Sequence, residues 1–176
     1  MIKFDSFLKI KKYFSTEDFS EIDSWKDFYI FLSSFYEKNR SFFNKKDICD
    51  LGIEKVIGLN PDDWISEAPE QSFESEKKKL SKEFNSSRRL LVRIKYLIDN
   101  MFTTYSDKEC PITGDYFRFI AVEENNGRRC VMLECPICYR METLSGKHVE
   151  KINGVIFPVS KAEIKSLVKN NIGILK

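Results

Sequence analysis

Apolar positions in the first hundred residues recur every three or four positions, which is the period of an amphipathic helix. The clearest stripe begins at Trp25, directly after the capping-box pattern that starts at Ser24, and predicts a helix over residues 24–38. A second stripe predicts a long helix over residues 72–104, whose interior contains neither Gly nor Pro. A weaker pattern predicts a short helix near the start of the chain, over residues 2–14.

After Asp107 the period of the apolar residues changes from 3.6 to 2, which is typical of strands. Strands are predicted over residues 116–122 and 128–133, joined by a turn centred near Asn126. A further hairpin is predicted around the dipeptide Asn153-Gly154, because Asn-Gly favours the tight turns that join paired strands.

These elements predict an α+β fold. A helical N-terminal part, residues 1–105, packs with a smaller antiparallel β part, residues 106–176, in one compact unit. The chain closes with a helix that begins at a capping box, residues 160–163. The composition agrees, because 42% hydrophobic and 14% aromatic residues are enough to build a core and exclude disorder.

The cysteines and the chain start bear on the cellular compartment. The first residues lack the basic and apolar regions of a secretory signal, and no run of 18 apolar residues occurs. Five cysteines, an odd number, argue against a disulfide framework and favour reduced thiols or a metal site. We therefore expect a cytoplasmic protein.

Charge is divided unevenly along the chain. Residues 1–76 hold 10 Lys and Arg against 16 Asp and Glu, whereas residues 77–176 hold 19 against 11, so the halves carry −6 and +8. A basic protein could bind the acidic half, or nucleic acid could bind the basic half, which includes most of the predicted helix over residues 72–104. Alternatively, the charges simply solvate helix faces. The densest acidic stretch is the predicted partner-binding site, and it consists of Asp62, Asp63, Glu67 and Glu70.

Two near-identical segments carry the chemistry of the chain: Cys-Pro-Ile-Thr-Gly from Cys110, and Cys-Pro-Ile-Cys-Tyr from Cys135. A turn centred near Asn126 pairs residues whose numbers sum to about 252, so both segments should meet at one end of the hairpin. Cys130 lies five residues from Cys135, about 16 Å along a strand, and cannot reach that end.

The segment 108–150 resembles the zinc-ribbon family, in which two such knuckles enclose a tetrahedral zinc ion. The resemblance implies a metal site at Cys110, Cys135 and Cys138. This chain departs from the family pattern at Thr113, where a fourth cysteine is expected, and His148 is the candidate replacement. Alternatively, the ribbon has lost its metal and the cysteines pack as small apolar residues.

No catalytic set is apparent, since the chain has one histidine and lacks a phosphate-binding Gly loop, a nucleophile elbow or a His-Glu-X-X-His motif. In overall character, the chain is similar to bacterial immunity proteins. We therefore expect a non-enzymatic immunity or antitoxin protein that neutralises a cognate toxin, such as a nuclease. The alternative is a zinc-ribbon protein that binds nucleic acid or belongs to the transcription machinery.

Overall fold

A computed structural model describes residues 22, 24–64 and 86–169 of the chain. Its helices are α1 (Trp25–Asn39), α2 (Lys45–Leu51), α3 (Glu54–Ile57), α4 (Pro61–Trp64), α5 (Ser87–Met101) and α6 (Lys161–Lys169), with a 3₁₀ turn at Arg40–Phe42. Its strands are β1 (Tyr105–Glu109), β2 (Tyr116–Glu124), β3 (Arg129–Glu134), β4 (Met141–Thr143), β5 (His148–Val149) and β6 (Gly154–Pro158). The predicted α+β class is confirmed.

The chain divides into two compact units. One contains α1 to α3 and α5, and the other contains Asp62 and the chain from Phe102 onward, with the strands and α6. Within the described residues, no helix has both the length and the apolarity needed to cross a membrane.

The helical unit follows the predicted pattern closely. Helix α1 begins where expected because the Ser24 hydroxyl accepts a hydrogen bond from the Asp27 backbone N–H at 3.1 Å. The described part of the long helix starts at Ser87, while the predicted helix at 2–14 and residues 72–85 lie outside the described residues. Both helices bury one apolar face: Phe28, Tyr29, Leu32, Phe35 and Tyr36 of α1, and Leu90, Leu91, Ile94, Leu97, Ile98 and Met101 of α5.

The strands form one antiparallel sheet in the order β1-β2-β3-β4-β5, and β6 also pairs with β2. Strand β2 is central, because its first part pairs with β1 and its second part with β6, while β3 covers its other edge. Val122 lies opposite Cys130, so the predicted register of this hairpin is confirmed. The core of this unit includes Phe117, Phe119, Ile120 and Leu133.

The predicted hairpin around Asn153-Gly154 is wrong. Gly154 lies within the β6–β2 ladder opposite Glu124, and β5 pairs with β4 instead. A Cβ at Gly154 would lie 2.4 Å from the carbonyl oxygen of Glu123, so this glycine permits a close approach between strands. The actual hairpin joins β4 to β5 through a turn at Gly146, whose φ of 86° is in the left-handed region.

The final helix begins as its capping box predicts. The Ser160 hydroxyl accepts a hydrogen bond from the Glu163 backbone N–H at 3.1 Å, and α6 starts at Lys161. Ile164 is buried, and Glu163 forms an ion pair of 2.5 Å with Arg129 of β3. The ion pair between Glu163 and Arg129 therefore links α6 to β3.

Candidate metal centre

The two Cys-Pro-Ile segments fold into the same turn, which we call a knuckle. In the first knuckle, the Gly114 N–H donates to the Cys110 carbonyl at 2.9 Å, and the Cys110 N–H donates to the Asp115 carbonyl at 2.7 Å. In the second, 25 residues further along, the corresponding bonds of 3.0 and 2.8 Å involve Cys135, Tyr139 and Arg140. The sequence repeat is therefore a repeat of backbone structure.

Each knuckle ends with a residue in the left-handed region. Gly114 has a φ of 76°, and Tyr139 at the equivalent position has a φ of 58°. Glycine adopts this conformation without penalty, whereas a side chain meets its own backbone there at a cost of about 1–2 kcal/mol. Among the described residues, Tyr139 is the one non-glycine with a positive φ.

Pairing of β2 with β3 brings both knuckles to the same end of the sheet, as predicted. The sulfurs of Cys110 and Cys138 are 3.6 Å apart, and those of Cys110, Cys135 and Cys138 all lie within 4.8 Å of one another. Cys110 and Cys135 are buried, while Cys138 is partly exposed. Cys130 lies near the start of β3, opposite Val122 and outside this cluster, as the strand spacing predicted.

Thr113 occupies the fourth corner of the cluster. Its hydroxyl oxygen lies 3.3 Å from the sulfur of Cys135 and accepts a hydrogen bond from the Asp115 N–H at 3.3 Å. In the second knuckle, the Arg140 N–H donates in the same way to the sulfur of Cys138. Thr113 is thus the structural equivalent of Cys138.

His148, the predicted fourth ligand, does not join the cluster. It lies on β5 opposite Glu142, is exposed, and has its Nδ1 atom 3.1 Å from the Met141 carbonyl oxygen. The pairing of β5 with β4 sets this position, and it leaves the imidazole away from the three sulfurs.

The knuckle backbone stabilises negative charge on sulfur. Burial raises the pKa of Cys110, but the N–H groups of Ile112 and Thr113, the Thr113 hydroxyl and the Cys138 thiol outweigh it and lower this pKa to about 7. The Arg140 N–H favours the thiolate of Cys138, yet burial and the neighbouring thiols together raise the pKa of Cys138. The hydrogen bonds of the first knuckle therefore favour the thiolate form of Cys110.

The donor set suits a metal ion that prefers sulfur. With metal–sulfur bonds of about 2.3 Å, two ligands of a tetrahedral site lie about 3.8 Å apart, close to the 3.6 Å between Cys110 and Cys138. Thiolates select zinc and similar soft ions over magnesium or calcium. The three cysteines could therefore hold a metal ion.

A charged network borders the cluster. The Glu142 side chain is 4% exposed and is bound by Lys108 and by Arg140, whose Nε lies 2.8 Å from its carboxylate. Burial raises the pKa of Glu142, but the hydrogen bonds and charges of these two cations outweigh it and lower the pKa. Arg118 is paired with Glu134 at 2.6 Å. The cations around the knuckles are thus neutralised by buried carboxylates, which the sequence pattern did not reveal.

Three large apolar side chains at the knuckles face solvent. Ile112 and Ile137, the third residues of the two repeats, are 66% and 61% exposed, and Tyr139 is 67% exposed. We call these three residues the knuckle surface. The repeated Cys-Pro-Ile could have indicated it, since the tip of a tight turn cannot bury its side chain against the sheet.

The predicted acidic site is described only in part. Asp62 is an exposed residue of α4, whereas the side chain of Asp63 and all of Glu67 and Glu70 lie outside the described residues. Their role in binding a partner stays a prediction.

Comparisons of the chain with protein-family models, with curated proteins and with solved structures found no match.

Proposed function

We propose that the chain is a non-enzymatic protein-binding module, with a zinc ion held by Cys110, Cys135 and Cys138 fixing its two knuckles. The observation that carries this proposal is the knuckle surface, which places three exposed apolar side chains beside the cysteine cluster. Exposed apolar groups gathered at one site mark interaction surfaces more often than single exposed residues do.

The conformation of Tyr139 supports the same reading. A tyrosine in the left-handed region costs stability, and a ring that is 67% exposed recovers little of it by packing. Tyrosine is enriched at protein interfaces because it offers a large, rigid contact surface with a polar end. A role in binding explains why this position carries a tyrosine where the first knuckle has Gly114.

The charges around the knuckles favour a basic partner. Glu109 and Asp115 are exposed, and no ion pair to either is found within the described part of the chain. Three thiolates and one divalent ion add a further net negative charge. A partner with an apolar anchor flanked by Lys or Arg would complement this surface. A cognate toxin domain, with a basic nuclease as the leading case, is the partner that we propose within this class.

Nucleic acid is less favoured as the partner. On α5, Arg88 forms an ion pair with Asp47, and Lys95 forms one of 2.5 Å with Asp99. These pairs neutralise cations that a phosphate backbone would need. The basic residues at 77–82 lie outside the described residues.

A pull-down with paired variants tests the proposal. The tagged full chain should capture one basic protein in near-equal amount from a lysate of its native host, and nuclease treatment should not release it. Ile112→Ser combined with Ile137→Ser should lose this capture. Ile30→Ser is the matched control, because Ile30 is an exposed isoleucine of α1, in the other unit. Equal capture by the double variant, or release by nuclease, would refute the proposal.

A further inference from the structure

Thr113 has the backbone position of a metal ligand without the chemistry of one. It matches Cys138 of the other knuckle, and its oxygen lies within hydrogen-bond distance of the Cys135 sulfur. The ligands that hold zinc in proteins are thiolate, imidazole and carboxylate, and a neutral hydroxyl is not among them. The first knuckle therefore presents one ligand where the second presents two.

No other described side chain supplies the missing ligand. Among the described His, Cys, Asp and Glu residues, the group gathered within 4.8 Å consists of the three cysteines alone. Three protein ligands and one further position are the arrangement in which zinc accepts a ligand from outside the protein.

The fourth corner is on the accessible side of the cluster. Cys110 and Cys135 are 1% and 0% exposed, whereas Thr113 and Cys138 are partly exposed. A ligand from solution can therefore approach beside Thr113 without displacing a buried cysteine. The position beside Thr113 is equivalent to that of the Cys138 sulfur and adjoins soft thiolate ligands, so a sulfur ligand suits it best.

We propose that the metal ion held by Cys110, Cys135 and Cys138 keeps an exchangeable coordination position beside Thr113, and that this position takes a thiolate from outside the chain. The inference rests on the metal site of the proposed function. The thiolate could come from a small thiol or from a cysteine of a bound protein, and the chemistry at the metal is the same.

Cobalt substitution tests this inference, because the visible bands of thiolate-bound Co²⁺ report its ligands. The full chain, reduced with a phosphine and freed of thiols, is loaded with Co²⁺ and titrated with 2-mercaptoethanol. We expect a saturable change in the visible bands of the wild type and of Thr113→Ser. Thr113→Cys should show no change, and it should bind Zn²⁺ at least about tenfold more tightly, since even changes outside the ligand shell alter affinity by 10–100-fold. Repeating the titration with the captured partner in place of 2-mercaptoethanol distinguishes the two sources of thiolate.

A wild-type cobalt spectrum that does not respond to either thiol would overturn the exchangeable position while leaving the metal site intact. If Co²⁺ binds Thr113→Cys but not the wild type, both the inference and the zinc of the proposed function fail. The pull-down with the isoleucine variants still tests protein binding in that case. Should Thr113→Cys not fold, the wild-type titration decides by itself.

Discussion

Replacing Gly154 by alanine tests the pairing of β6 with β2, the central strand of the sheet. The added Cβ would lie 2.4 Å from the Glu123 carbonyl oxygen and 2.9 Å from the carbonyl carbon. Carbon atoms pack best at about 3.5–4.0 Å, and neither contact can be relieved by turning a side chain. The strand must move, so we expect a loss of about 1–3 kcal/mol in the free energy of unfolding.

Two further variants test whether Gly154 is needed for the close approach of two strands or for a tight turn. Gly58→Ala is the matched control, because no atom lies within 4 Å of the added Cβ and the φ of −92° suits alanine. It should leave stability unchanged or raise it by about 0.4–1 kcal/mol. Gly154→Asn should be at least as damaging as Gly154→Ala, whereas an Asn-Gly turn would tolerate asparagine, which adopts the left-handed region readily.

Chemical denaturation of the full chain gives the overall loss, and amide hydrogen exchange at Ala121 and Phe157, a hydrogen-bonded pair of the β2–β6 ladder, locates it. Exchange at these paired residues should accelerate in both Gly154 variants and stay unchanged in Gly58→Ala. If Gly154→Asn behaves like the wild type, residues 153–154 form a turn and the β2–β6 ladder is wrong.

Two further predictions concern the bordering charges and the metal. Glu142→Gln should lower stability at neutral pH by about 1.5–3 kcal/mol, the range for hydrogen bonds to a charged group. Because the folded pKa of Glu142 is lowered, its contribution to the free energy of unfolding is complete above the ordinary carboxyl pKa and is lost as the pH falls through the lowered value. Urea unfolding measured from neutral to acidic pH should therefore show a weaker dependence of stability on pH in the variant than in the wild type. An unchanged pH dependence would contradict the assignment. A chelator should lower the melting temperature of the wild type and of Cys130→Ser but not of Cys135→Ser, and an equal response of Cys135→Ser would exclude the site.

The knuckle register was predictable because one turn determines it. Once a turn is centred near Asn126, the residue numbers of opposed positions on β2 and β3 are determined. This register places Cys138 near Cys110 and leaves Cys130 away from them. The Asn-Gly signal failed at Asn153-Gly154, since glycine serves tight turns and close strand contacts equally well. Only the identity of the opposing strand distinguishes the two uses, and that is a long-range property.

For a related reason, the structure does not bring His148, the expected fourth ligand, to the three cysteines. Spacing along the chain placed His148 near enough to Cys138, but the β4–β5 pairing determines where the imidazole lies. Glu142 was missed because a glutamate in a polar stretch looks exposed, while its partner Lys108 comes from the other end of the sheet order. Neither the direction of a side chain nor a partner three strands away can be read from local periodicity.

Tyr139→Gly should raise the stability of the fold and weaken the binding of the partner. Relief of the left-handed strain, about 1–2 kcal/mol, offsets or exceeds the entropic cost of glycine, about 0.5–1 kcal/mol, so the variant should be more stable by up to about 1.5 kcal/mol. The same change removes a ring that is 67% exposed from the knuckle surface and should weaken partner capture. Gly114→Ala, at the equivalent left-handed position with nothing within 4 Å of its Cβ, is the control that should lose stability from strain alone. A Tyr139→Gly protein that is less stable, or that captures partner as well as the wild type, would show that the tyrosine is kept for the fold and not for binding.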